Sequence, residues 1–168
     1  MQAIQTVTVG SGGAASIEFT SIPDTFTDLK VVFSIRNTST RSTVLLTING
    51  DSDNQTARRL DGGGSSASSS TFAEIRNDST NETSDTFSNC EMYVANYRSS
   101  SAKAISIDIV TENNGTTAYQ TIEAWKWNNT DPITSLGFER RIAGGLAEHT
   151  TATLYGILAG SDGTTTVT

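Results

Sequence analysis

Residues able to do chemistry are scarce in this chain. There is one histidine, His149, and one cysteine, Cys90, so a zinc site of the usual His and Cys ligands cannot be built within a single copy. His149 lies in LAEHTTATL, at the start of a strand pattern, where a solvated or capping side chain is expected. A Ser-His-Asp arrangement is formally possible but unsupported, since no nucleophile-elbow pattern G-x-S-x-G occurs. Neither a P-loop nor a G-x-G-x-x-G fingerprint is present, and the glycines lack the strand-to-helix context such motifs require. Cys90 sits in an apolar strand pattern, which predicts a buried, inert thiol, and a lone cysteine excludes an internal disulfide. The expectation is a non-enzymatic chain with no catalytic residues, no metal and no cofactor.

Two constellations have enough polar or aromatic groups in the right spacing to be weighed further. Asp51, Asp53 and Asn54 in NGDSDN resemble the oxygen-rich start of a calcium loop, but the twelfth position counted from Asp51 is Gly62 where a bidentate Glu is needed. A polar turn is the reading adopted. The second is the stripe Tyr119, Thr121, Glu123, Trp125 and Trp127, which falls on one face of one strand. Exposed, its rings could stack on a sugar, with Glu123 accepting hydroxyl protons; buried, the stripe is core or subunit interface, with Ala118, Gln120, Ala124 and Lys126 turned to water. Core packing is the expected outcome. Glu123 would then need a partner, since a buried unpaired carboxylate is costly, and Arg140 or Arg141 is the expected one.

The elements that must position these groups are strands. Leu29, Val31, Phe33 and Ile35 alternate with Lys30, Val32, Ser34 and Arg36, the period-two pattern of a half-buried strand. Ile105, Ile107 and Ile109, and later Ala152, Leu154 and Gly156, repeat it. Further strands are predicted over 4–9, 16–19, 43–48, 71–76, 87–96, 118–127 and 133–140, and no segment predicts a helix longer than a turn or two. Asn49-Gly50 and Asn114-Gly115 favour positive φ and mark tight turns, while Pro23 and Pro132 stand at strand approaches. The stretch DGGGSSASSS at 61–70 reads as a flexible loop and NDSTNETSD at 77–85 as a second polar one. Spacing and turns predict an all-β fold: a two-sheet antiparallel β-sandwich, jelly-roll-like, of about 8–10 strands. It forms a single domain over 1–168 with extended N-terminal (1–13) and C-terminal (160–168) segments.

Composition narrows the partners. Among 168 residues only 35% are apolar and 17% charged, and more than one in four is Ser or Thr, which suits strands with hydroxyl-bearing outer faces rather than a disordered chain. The net charge of −7 repels phosphate backbones, so no nucleic acid is expected as a partner. No run approaches the ~18 apolar residues that span a bilayer, and no basic, apolar leader opens the chain, so no membrane is expected and synthesis in a cytoplasm is. Six Asn-x-Ser/Thr matches, at Asn37, Asn54, Asn77, Asn81, Asn114 and Asn128, are then accidents of composition.

Four segments carry a resemblance. SIPDTFTDLKVVFSIRN at 21–37, the turn Asn49-Gly50-Asp51, NYRSSSAKAIS at 96–106 and the closing TLYGI at 153–157 are together similar to the small all-β accessory proteins of tailed-phage particles, above all those of marine and cyanobacterial phages. The likeness runs from about Ile17 to Ile157, and its motifs are structural rather than catalytic. It implies a virion protein made in the bacterial host cytoplasm, most simply a capsid decoration or cement protein. That protein would form a homotrimer and bind the major capsid protein on the outside of the assembled particle. The alternative it leaves open is a receptor- or glycan-binding module of a head or tail fibre that uses Tyr119, Glu123, Trp125 and Trp127; a polysaccharide-degrading enzyme on the same sandwich stands third.

Overall fold

The computed structural model describes residues 1–40, 43–62, 67–70, 74–140 and 144–158, and of 67–70 the backbone alone. Twelve strands and no helix occur among them: β1 (Gln2–Thr8), β2 (Ser16–Phe19), β3 (Asp28–Ile35), β4 (Thr43–Ile48), β5 (Gln55–Asp61), β6 (Ala67–Ser70), β7 (Glu74–Arg76), β8 (Ser88–Val94), β9 (Lys103–Glu112), β10 (Ala118–Trp127), β11 (Leu136–Glu139) and β12 (Thr151–Ile157). All pairings are antiparallel. Eight strands form one sheet in the order β1-β12-β3-β8-β9-β10-β5-β6, and four form the other, β2-β11-β4-β7. The expected two-sheet antiparallel architecture holds, with more strands than expected and an uneven division between the sheets.

Alternation decides which face each strand buries. In β3 the residues Leu29, Val31, Phe33 and Ile35 are buried and the intervening ones half-exposed. The same alternation aligns Cys90, Met92 and Val94 of β8 with Ile105, Ile107 and Ile109 of β9 across a continuous register. From the small sheet come Ile17, Phe19, Leu46, Ile48, Leu136 and Phe138, all at most 2% exposed. The sheets meet where the Phe33 ring packs edge-on against Phe138, centroids 4.5 Å apart. Burying such side chains contributes roughly 1.5–3 kcal/mol each before the entropy of ordering them is subtracted.

The Asn49-Gly50 turn has both residues at positive φ, 55° and 78°, as a tight primed turn requires. It does not make a simple hairpin, because β4 belongs to the small sheet and β5 to the large one. The Asn49 side chain also donates to Pro132 O and accepts from the N–H groups of Thr134 and Ser135, fixing the approach to β11. Asn114-Gly115 lies in the connection that joins β9 to β10 as a hairpin.

Two expectations change. The stretch 61–70 is not simply a loop, since Ala67–Ser70 pairs with β5; 63–66 lie outside the described residues, as do 71–73 of the strand expected at 71–76. The N-terminal segment is not an extended arm throughout, because Gln2–Thr8 forms an edge strand on β12. The C-terminal 160–168 lie outside the described residues.

Candidate functional site

The aromatic stripe of β10 faces inward. Thr121, Glu123, Trp125 and Trp127 are buried, at 1%, 1%, 4% and 1% exposure, and Tyr119 at the strand's start is half-buried, its hydroxyl accepting from Asn113. Ala118, Gln120, Ile122, Ala124 and Lys126 take the solvent face. The glycan platform considered for Tyr119, Glu123, Trp125 and Trp127 is therefore corrected: Glu123, Trp125 and Trp127 lie in the inner layer of the sandwich, out of a sugar's reach, and half-buried Tyr119 alone makes no platform.

Glu123 finds its partner in Arg59, not in Arg140, whose guanidinium bonds Gly144 O; Arg141 lies outside the described residues. The register sets this pair, because β5 lies beside β10 with Arg59 opposite Glu123. Arg59 Nε donates to Glu123 Oε1 at 2.7 Å, Trp125 Nε1 donates to Glu123 Oε2 at 2.7 Å, and Arg59 Nη2 donates to Glu74 O on the small sheet. Burial pushes the Glu123 carboxyl above its usual range while Arg59 pulls it back. With both oxygens bonded, the group ties β10 to β5, and β5 to β7.

A second polar cluster was invisible to hydropathy. Asn77, Asp78 and Ser79, within the stretch read as a polar loop, are at most 1% exposed. Asp78 accepts from the N–H of Asn37 through its carbonyl and from Glu112 N–H through Oδ1, and its own N–H donates to Ser88 Oγ. Beside it, Arg36 donates to the carbonyls of Glu82, Thr83 and Thr86, so one guanidinium holds the whole 79–86 loop. Desolvation raises the Asp78 pKa from 3.8 to about 6. Asn37 Oδ1, Asn77 Oδ1 and Thr111 Oγ1 are buried without a hydrogen-bond partner among the described residues.

The other candidates have structural roles. Asp51 Oδ1 accepts from Asp53 N–H at 2.7 Å, a polar turn, and no group of three or more His, Cys, Asp or Glu able to hold a metal occurs among the described residues. His149 stands at φ 71° with its side chain 78% exposed. Cys90 is buried, and desolvation raises its thiol well above the ordinary range, as expected of an inert thiol. No helix among the described residues is long and apolar enough to cross a membrane.

Three of the segments that carried the resemblance, 21–37, 96–106 and 153–157, meet at one end of the sandwich. The Tyr97 hydroxyl donates to Pro23 O and Arg98 to Asp24 O, while Asp28 accepts from Asn96 N–H and from the Tyr93 hydroxyl. Phe26 lies on Gly156 so closely that a Cβ there would stand 2.2 Å from the ring, which is why the TLYGI strand carries glycine at that point. Lys103, 1% exposed, donates to the carbonyls of Ser99, Ser101 and Asp131 and lies 5.4 Å from the centre of Trp127. These motifs are structural: each fastens a loop to a strand end.

Family models, curated proteins and solved structures give no match to this chain. One feature able to act on another molecule is a sheet edge. β1 ends the large sheet, its outer side unpaired among the described residues. Its sequence, QAIQTVT, has no charge and no proline to block strand addition, and a register shift between Ala3 and Gln5 is its one irregularity. Val9 N–H and C=O both bond toward the β12 side, so alternation turns the backbone groups of Thr8 and Thr6 to the open edge.

Proposed function

We propose that this chain is a non-enzymatic structural protein of a tailed-phage particle, a capsid decoration or cement protein on a jelly-roll-like sandwich. It binds the outside of the assembled capsid as a homotrimer. The observation that carries the reading is the edge of β1, seven residues without charge or proline whose outer side is unpaired among the described residues. An exposed edge offers main-chain donors and acceptors to a neighbouring strand, and a lattice of repeated subunits offers that neighbour many times over. The meeting of three of the four resembling segments in one fastened end supports the same reading.

A cement protein stabilises a shell because it binds the assembled lattice and not the separate subunits, so its binding free energy adds to that of disassembly. Each copy would bury on the order of 1,000–2,000 Å² against its neighbours, the range of specific interfaces. Particles assembled without the protein are expected to release their DNA at lower temperature than particles carrying it. Equal heat resistance with and without it rejects cementing. Thr8→Pro, which removes an outward N–H and leaves the β12 ladder intact, is expected to abolish attachment to the particle while circular dichroism stays that of the wild type.

A further inference from the structure

The outer face of the large sheet carries a groove that neither the core nor the β1 edge explains. Cross-strand register places Lys30, Tyr93 and Ser106 in one row and Glu91, Asp108 and Ile122 in the next. Ser106 and its β10 partner Ala124 are small beside Tyr93 and Ile122, and a depression of about 290 Å³ lined by Tyr93, Ser106 and Ile122 opens there. That volume lies near the lower bound of small-molecule sites, about 300 Å³.

Three features of the lining depart from what solubility alone would select. Ile122, at 52% exposure, stands on this face although the core takes the other side of β10. Glu91 and Asp108 are directly opposed across β8 and β9, an arrangement of like charges that destabilises a sheet. Each is only half-satisfied: Lys30 Nζ lies 2.7 Å from Glu91 Oε2 and Gln120 Nε2 donates to Asp108 Oδ2 at 2.8 Å, leaving one oxygen of each carboxylate without a partner among the described residues. Tyr93 is 38% exposed, and its hydroxyl donates to Asp28 Oδ2 at 2.6 Å, so the ring is held in place at the groove's side.

We propose that this groove binds a short oligosaccharide, with Tyr93 and Ile122 packing against the sugar's C–H faces and Glu91 and Asp108 accepting its hydroxyl protons. Sugars present apolar C–H surfaces and hydroxyl donors side by side, as the lining requires, and carboxylates are strong acceptors for those donors. Phosphate-bearing ligands are disfavoured by the opposed carboxylates. The proposal is independent of the capsid reading, since the groove lies on β3, β8, β9 and β10 and the lattice contact on β1.

The test uses the full chain, isotopically labelled, titrated with a panel of neutral di- to hexasaccharides of glucose, galactose, mannose and N-acetylglucosamine. Saturable shifts are expected at the amides of Tyr93, Ser106, Asp108 and Ile122. Tyr93→Ala is expected to weaken the best binder by about tenfold or more, the scale of one lost stacking contact. Asp108→Asn weakens it too, and Tyr93→Phe, which keeps the ring and cuts its tether to Asp28, does so less. Thr8→Pro leaves sugar binding unchanged, so failure of the groove and failure of the edge are read separately. Absence of saturable shifts across the panel overturns the proposal. So does wild-type affinity in Tyr93→Ala, or groove shifts that follow protein concentration and not sugar.

Discussion

The two faces of β10 and its neighbours treat carboxylates in opposite ways. Inside, Glu123 is buried with both oxygens bonded, one by Arg59 and one by Trp125. Outside, Glu91 and Asp108 oppose each other and each keeps an oxygen unclaimed among the described residues. The difference follows from solvent: a charge removed from water is very costly unless it is paired and hydrogen-bonded, while one left in water can stay half-matched because water, or a ligand, completes it. Matching inside is fullest where a charge is buried, as at Glu123; the neutral atoms Asn37 Oδ1, Asn77 Oδ1, Thr111 Oγ1 and Trp127 Nε1 are buried without a partner among the described residues.

The largest effects are expected on the inner face. Arg59→Met strands Glu123 as an unpaired buried charge and is expected to cost about 3–5 kcal/mol in urea unfolding, with Glu123→Gln added to it recovering part of the loss. Trp127→Ala leaves a large cavity and a Lys103 without its ring, at a similar cost of about 3–5 kcal/mol. Wild-type stability in either variant would mean that the inner face is more accommodating than its packing implies.

The pH dependence of Asp78 comes next. Its pKa is raised from 3.8 to about 6, so the folded chain holds this proton more tightly than the unfolded one. The stabilisation is complete below about pH 4 and is lost as pH rises through 6, amounting to about 3 kcal/mol at most. Asp78→Asn, which keeps an oxygen for Glu112 N–H, is expected to flatten the fall in urea midpoint between pH 4 and 7. An unchanged slope would assign the fall to other groups, of which Glu123, shifted in the same direction, is the first to test.

The smallest effect belongs to the outer face. Asp108→Asn removes one of two opposed like charges and is expected to raise stability slightly, by about 0.2–1 kcal/mol. A clear loss of stability would show that the outer carboxylates, too, are part of the architecture.

The strands were legible to different degrees for physical reasons. Period two in 29–36 and 105–110 exposed β3 and β9 because those strands bury one face and wet the other, and the bounds of β2, β4 and β10 agree with those expected. Strand β5 was missed because its pattern is inverted: Gln55 and Arg59 point inward with Ala57, while Leu60, 54% exposed, points out. Its inward face is polar because Arg59 serves Glu123 on β10 and Gln55 serves the carbonyls of Leu46 and Asp51, needs created only when these segments lie side by side. The 77–85 stretch was read as solvated because nothing in NDSTNETSD is apolar, yet Asp78 and Ser79 are buried against Arg36 and Ser88.

By itself the sequence determined that the chain is all-β and where most strands run, and it favoured Trp125 and Trp127 in the core, an inert Cys90 and a partner for a buried Glu123. Those properties follow from local alternation and from the cost of burying a charge, which hold wherever the strand ends up. The tertiary structure decided that the cation is Arg59, that 77–79 are interior, that β1 is an edge unpaired among the described residues and that Glu91 lies directly beside Asp108 in the lining of a groove. Each depends on which strands become neighbours, and neighbours distant in sequence are fixed by the packing of both sheets together, not by any segment alone.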